Sequence, residues 1–181
     1  AAKEETAQLE EVAFYDVLTG LLNRRGTETF LHQVMADAQR TQDVFSIALM
    51  DLDHFKAIND TYGHLVGDEM LRQFSGQIKT SLRAGDVLGR WGGEEFLLIT
   101  LHTPASLHAT LAHRLKESWQ HPTVTFSAGL AAFQKGDTLQ SLIQRADEAL
   151  YLAKSKGRDR IESAYSDGET LMREDAALLK N

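Results

Sequence analysis

Acidic side chains crowd two short stretches of this 181-residue chain. "MDLDHF" carries Asp51 and Asp53, and "RWGGEEFLLI" carries Glu94 and Glu95 directly after Gly92 and Gly93. Both sets stand at the ends of apolar runs: "DVFSIALMDLD" closes on its acids and "EFLLITL" opens on one. If the two runs are neighbouring strands, the acids converge. Like charges at close range repel, and burial makes this worse. A divalent cation removes the conflict, and oxygen ligands without Cys or clustered His favour a hard ion such as magnesium. Magnesium held by one or two carboxylates keeps sites for water and substrate phosphates. The competing reading is a solvated acidic hairpin tip and a strand that merely ends in Asp. Either stretch alone fits that reading; their shared position at strand ends favours the metal.

The elements that must position these acids follow from periodicity. Residues 1–15 are polar and helix-forming, with Leu9, Val12 and Ala13 as a thin apolar stripe: a helical lead-in, the end of a coiled-coil linker. "DVLTGLLNRRG" is a turn feeding a helix over 24–40. "DVFSIALMDLD" reads as a strand buried on both faces. Leu71, Phe74, Ile78 and Leu82 follow at helical spacing. "DVLGRW" and "EFLLITL" are strands joined at Gly92-Gly93, a pair suited to a tight hairpin with positive φ at both residues. Leu107, Leu111 and Leu115 mark a helix over 105–119, and Val124, Phe126, Ala128 and Leu130 alternate along a strand. Leu139, Leu142, Ile143, Ala146 and Leu150 mark a long amphipathic helix ending near Gly157. The tail 163–181 holds a short helical segment, "LMREDAALLK". Helix, strand, helix, hairpin, helix, strand, helix predicts an α+β fold, a mostly antiparallel central sheet with flanking helices.

Composition narrows the function. With no cysteine, the chain has neither disulfides nor thiolate metal sites, which fits a reducing compartment. A net charge of −7 and a pI of about 5.5 leave it without the basic footprint of a nucleic-acid binder. No apolar run is long enough to span a bilayer. The start has no signal-peptide core and no initiator Met, so a piece of a longer protein is expected.

Four stretches, in order, resemble the GGDEF-domain diguanylate cyclases: "DVLTGLLNRR" at 16–25, "DLDHFKAINDTYGHLVGD" at 51–68, "GGEEF" at 92–96 and "ADEALYLAKSKGRDR" at 146–160. The similarity covers 16–162, which it identifies as the catalytic domain. It implies a βαββαβ core like the palm of nucleotide cyclases and polymerases. It implies that two GTP molecules, one on each subunit of a homodimer, condense into cyclic di-GMP with release of two pyrophosphates. It also implies a cytoplasmic catalytic domain, sometimes membrane-anchored through the rest of its protein, driven by an upstream sensory domain.

Carried onto this chain, the resemblance gives the Asp51 side chain, the Leu52 carbonyl and Glu94 two magnesium ions per half-site, with manganese as a substitute. Glu95 is a metal ligand, a base, or a group behind the ligands; Asp53 is structural. Asn59 and Asp68 match the residues that read guanine, since a carboxylate accepts from guanine N1–H and the exocyclic amine and an unpaired buried acid penalises adenine. The bland role for Asp68 is a helix N-cap. His54, Phe55 and Lys56 open a short helix whose free amides hold terminal phosphates; His64 belongs to the same nucleotide-binding segment. Gly92 and Gly93 leave room for the nucleotide. Lys154 and Arg158 match a phosphate-binding pair, where helix-dipole compensation is the bland alternative. Asp159 departs from the Asn common in the family and adds negative charge beside Arg158.

"RAGD" at 83–86 lies five residues before the "GGEEF" stretch, the register of the family's RxxD inhibitory site for cyclic di-GMP, and Arg114 aligns with a secondary inhibitor contact. The bland reading is a surface ion pair at a turn. Two further functional readings remain at this level: a domain that binds GTP or cyclic di-GMP without turnover, and a cyclase making an adenine-containing product. The intact "GGEEF" disfavours the first and Asp68 the second. Arg90 and Trp91 read as a surface charge and a packing residue.

Overall fold

A computed structural model describes residues 1–164; the expected helix at 171–180 lies outside the described residues. Helices α1 (Ala2–Phe14) and α2 (Arg24–Thr41) precede the first strand, β1 (Phe45–Leu52). Then come α3 (Phe55–Tyr62), α4 (His64–Lys79), the hairpin β2 (Val87–Arg90) and β3 (Glu95–Leu101), α5 (His108–Ser118), β4 (Phe126–Ala132), α6 (Leu139–Ser155) and β5 (Ile161–Ser163). The sheet runs β2-β3-β1-β4-β5. All contacts are antiparallel except β4 with β5. The α+β expectation holds.

β1 sits at the centre and every one of its residues is buried. Its side chains divide with the period of two that a pleated strand imposes. Ala48, Met50 and Leu52 join Phe74, Trp119 and Phe126 on one face; Phe45, Ile47 and Leu49 join Leu31, Met35, Leu142 and Leu150 on the other. Helices α4 and α5 thus cover one face, α2 and α6 the other. The register pairs Asp51 with Glu95 on one side and with Ser127 on the other.

Three details differ from the sequence reading. The short helix expected from His54 is α3, but the longer one starts only at His64, because the chain breaks at Gly63, where φ is +86°. Asp68 lies inside α4, whose N-cap position is Gly63, so an N-cap role for Asp68 is excluded. β5 is additional: three residues carry no usable alternation, and it forms because α6 returns the chain parallel to β4. No described helix is long and apolar enough to cross a membrane.

Candidate active site

Asp51 ends the most buried strand, and its side chain is correspondingly constrained. It is 6% exposed. Oδ2 accepts a hydrogen bond from Lys154 Nζ at 2.5 Å, while Oδ1 is buried with no partner. Burial pushes the Asp51 carboxyl up, with help from Asp53, against the hydrogen bond and charge of Lys154 and the charge of Arg158. Glu94, in the turn before β3, is raised by burial and by Asp51, with Lys154 opposing. Glu95 is raised by burial, then Asp51, Asp147 and Glu94, again against Lys154. Three acids therefore share one ammonium, and an oxygen that needs a cation or a donor has neither.

This donor set fits a hard divalent ion. Among the described residues no group of three or more His, Asp or Glu side chains is arranged to hold a metal ion by itself. The residues that could hold such an ion are Asp51 and Glu94 with a nearby backbone carbonyl such as that of Leu52, a partial oxygen shell of the kind that leaves coordination positions for phosphate oxygens and water. Asp53, two residues along, has the opposite fate. Its carboxylate accepts from Thr125 Oγ1 at 2.6 Å, Ser127 Oγ at 2.7 Å and the Asp159 amide at 3.0 Å. Fully bonded, it ties β1 to β4 and to the loop after α6.

The Gly92-Gly93 turn is not the tight hairpin expected from its composition. Neither glycine has positive φ. Trp91 and Gly92 amides both donate to the Glu95 carbonyl, at 2.8 and 3.2 Å, leaving Gly92, Gly93 and Glu94 as the loop. A Cβ on Gly92 would lie 2.9 Å from Glu95 Oε2, whereas one on Gly93 would meet nothing within 4 Å. At Gly92 the near neighbour is the mobile tip of the Glu95 side chain, and Gly93 faces open space.

Arg90, read from sequence as a surface charge, holds this loop. Its guanidinium donates to the Gly93 carbonyl at 2.7 and 3.2 Å and to the Asp16 carboxylate at 3.1 and 3.3 Å. Both side chains of that ion pair are under a fifth exposed. Asp16 also accepts from the Thr19 amide and hydroxyl. Burial acts to raise Asp16, but Thr19 and Arg90 outweigh it and hold the carboxyl below its usual value. The "DVLTG" turn is thereby wired to the acidic loop. Trp91 is 5% exposed in the α2–α6 core, with the Arg24 guanidinium 4.4 Å above its ring.

On the other flank, α3 and α4 meet at Asn59. Its Oδ1 is buried without a partner, and a Cβ on Gly67 would fall 1.8 Å from it. Gly67 therefore lets Asn59 sit beside the first turns of α4, next to half-buried Asp68. Phe55 backs this junction from the core, so any ligand contact it makes falls to its backbone. His54, Lys56 and His64 are exposed at the starts of α3 and α4, with His54 at φ +56°. Lys154 and Arg158 approach from α6 and the loop beyond. The structure thus brings Asp51, Glu94, Glu95, Lys154 and Arg158 together, and sets Asn59 against Gly67, the residue before Asp68.

Arg83, Asp86 and Arg114 form a separate cluster at the other end of β2. Five residues of extended chain from Asp86 to Trp91 span roughly 17 Å at ~3.3 Å per residue. The Arg83–Asp86 surface ion pair of the bland reading is not made. Asp86 instead accepts from the Arg83 amide at 2.9 Å and the Leu101 amide at 3.1 Å. Half-buried Arg114 has Nε and Nη2 without partners. Burial and the neighbouring Arg83 push its pKa down, against Asp86.

Residues 13–160 match the family described as diguanylate cyclase, GGDEF domain. Diguanylate cyclase DgcM of Escherichia coli is 40% identical over 167 residues, 87% of this chain and 40% of that protein. The coiled coil and GGDEF domain of DgcB from Caulobacter crescentus, solved in complex with c-di-GMP, superposes with a TM-score of 0.82 at 30% identity. That match covers 90% of this chain and 92% of that one. The active GGEEF domain of a diguanylate cyclase from Vibrio cholerae gives 0.76 at 30% identity, covering 81% and 99%. The chain spans less than half the length of the curated relatives it matches.

Proposed function

The chain belongs to the GGDEF family of diguanylate cyclases, and on that premise we propose that it condenses two GTP into cyclic di-GMP and two pyrophosphates. The observation that carries the proposal is Asp51: a buried carboxylate with one oxygen on Lys154 and one on nothing, facing the two acids of the "GGEEF" turn.

Asp51, the Leu52 carbonyl and Glu94 are the groups to hold two magnesium ions, or manganese, which when bound neutralise phosphate charge and acidify the attacking 3′-hydroxyl. Lys154 and Arg158 bind the terminal phosphates, joined by the amides after His54 at the start of α3, from Phe55 and Lys56. Asn59 and Asp68 read the guanine edge, with His64 at the rim. The orphaned Asn59 Oδ1 supports this role, because a buried acceptor without a donor costs stability that a ligand N–H restores. Glu95, raised by its neighbours, accepts the proton of the hydroxyl or completes the metal set. Each copy presents one GTP, so the reaction needs a homodimer. Exposed Leu9 and Val12 on α1 support pairing through that helix, under control of a sensory domain upstream. Catalysis in the cytoplasm is part of the same reading.

Product inhibition is assigned to the second cluster. Arg114 offers two unpaired donors, and the charge of Arg83 acts on it, a pairing suited to the phosphates and guanine edges of cyclic di-GMP.

The test is incubation with GTP and magnesium across a range of protein concentrations, following cyclic di-GMP and pyrophosphate. Expected is turnover whose specific rate rises with protein concentration. A folded protein that binds GTP but makes no product at any concentration would overturn the enzymatic reading in favour of a sensor.

A further inference from the structure

Arg158 is presented by a strained stretch of backbone. Gly157, Arg158 and Asp159 follow one another at φ of +115°, +64° and +48°. Glycine adopts such angles freely, but two residues with side chains in succession do so only where their surroundings hold them. Those holding groups can be named. The Arg158 amide donates to the Ala153 carbonyl at 3.0 Å, closing α6. The Asp159 amide donates to Asp53 at 3.0 Å. From α5, the Lys116 ammonium donates to the Asp159 carboxylate and, at 3.1 Å, to its carbonyl. So held, Arg158 comes within electrostatic reach of Asp51.

The arrangement sets a carboxylate beside the residue that meets phosphates. Left alone, Asp159 would repel a polyphosphate, but Lys116 sits on it. We propose that Lys116 serves the substrate site through Asp159: it neutralises that carboxylate, so that Arg158 meets the terminal phosphates of a nucleoside triphosphate without an opposing charge beside it. The inference rests on the reading of Lys154 and Arg158 as phosphate-binding groups. As a stabilising device the pair is weak. The two side chains are 37% and 55% exposed, and exposed ion pairs contribute little to folding. A highly charged ligand nearby still feels their field.

Calorimetric titration with a non-hydrolysable GTP analogue and magnesium tests this on the wild type, Lys116→Met, Asp159→Asn and the double variant. Lys116→Met should weaken binding about tenfold, more at low salt than at high. It should raise KM while kcat stays within roughly twofold. Asp159→Asn should bind as tightly as the wild type or more tightly. The double variant should recover wild-type affinity, because Asn tolerates the left-handed backbone and carries no charge to neutralise. Unchanged binding by Lys116→Met overturns the proposal. So does a double variant as weak as Lys116→Met, which would reduce Lys116 to its packing near the Phe126 ring. Should Lys116→Met fail to fold, Asp159→Asn decides alone, since weaker binding there contradicts a repulsive Asp159. A wild type that binds no analogue overturns the phosphate reading itself, and this inference with it.

Discussion

The two ends of the β2–β3 hairpin are incomplete in opposite senses. At the turn, Asp51, Glu94 and Glu95 share the single ammonium of Lys154, and Asp51 Oδ1 has nothing. At the base, Arg114 has two unpaired nitrogens and feels the charge of Arg83, while Asp86 is taken up by backbone amides. One end needs cations and the other needs an anion. Neither deficit helps the empty fold, because buried polar groups without partners cost stability. What the contrast teaches is that stability has been given up at two separated places, each suited to a ligand of opposite charge.

The sharpest way to break the acidic end is Glu94→Gln. We expect turnover to fall by roughly a thousandfold or more, since an interaction made at the reacting phosphate is lost. Metal-free stability should rise at neutral pH. A carboxyl whose folded pKa is raised contributes stability below its unfolded value and loses it as pH increases, so above that range its charge works against the fold. Thermal unfolding in chelator and a turnover assay check both. A variant that is less stable and still active would remove Glu94 from the metal set.

At the basic end, Arg83→Ala should raise the cyclic di-GMP concentration for half-inhibition by about tenfold or more. Inhibition curves on wild type and variant measure it. An unchanged curve would place the inhibitor elsewhere. Arg114→Met sharpens the contrast, because it removes a half-buried guanidinium with two unpaired nitrogens. Stability without ligand should hold or rise while inhibition weakens.

The meeting of Asp51 with the "GGEEF" acids was legible because two apolar runs each terminate in acids, and antiparallel pairing brings such termini together. The unbroken apolar run of β1 and the long amphipathic pattern of α6 were legible for a related reason: burial writes its pattern into sequence. Partners far apart in the chain were not. Lys154 meets Asp51 across 103 residues and Arg90 meets Asp16 across 74, and no local pattern encodes either pair. Composition misled at the turn, where paired glycines suggested positive φ and neither has it. The break at Gly63 was not legible, because exposed Tyr62, Leu65 and Val66 flank it and write no burial pattern there.

Arg90 joins the acidic end to the segment before it, and Arg90→Met tests how far the loop depends on that link. Loss of the ion pair and of two bonds to the Gly93 carbonyl should cost about 2 kcal/mol of stability. It should also lower kcat by roughly tenfold through misplacement of Glu94. Denaturant unfolding and steady-state kinetics separate the two. A stability loss with unchanged kcat would make Arg90 a purely structural tie.

The smallest effect concerns Asp16, and its sign follows from the direction of its shift. Thr19 and Arg90 hold its folded pKa below 3.8 in spite of burial. Its contribution is therefore complete above the unfolded value and is lost as pH falls through the lower folded one. Asp16→Asn should be less stable than wild type by about 1 kcal/mol at neutral pH. That gap should narrow only as the solution is acidified below the ordinary carboxylate range. Glu94→Gln runs the other way: its stability advantage exists only above the ordinary range and vanishes on acidification. Paired denaturation curves across pH thus distinguish an acid recruited to hold the loop from one held ready by it. A gap for Asp16→Asn that does not change with pH would mean the side chain acts by shape and hydrogen bonding, with its charge contributing nothing.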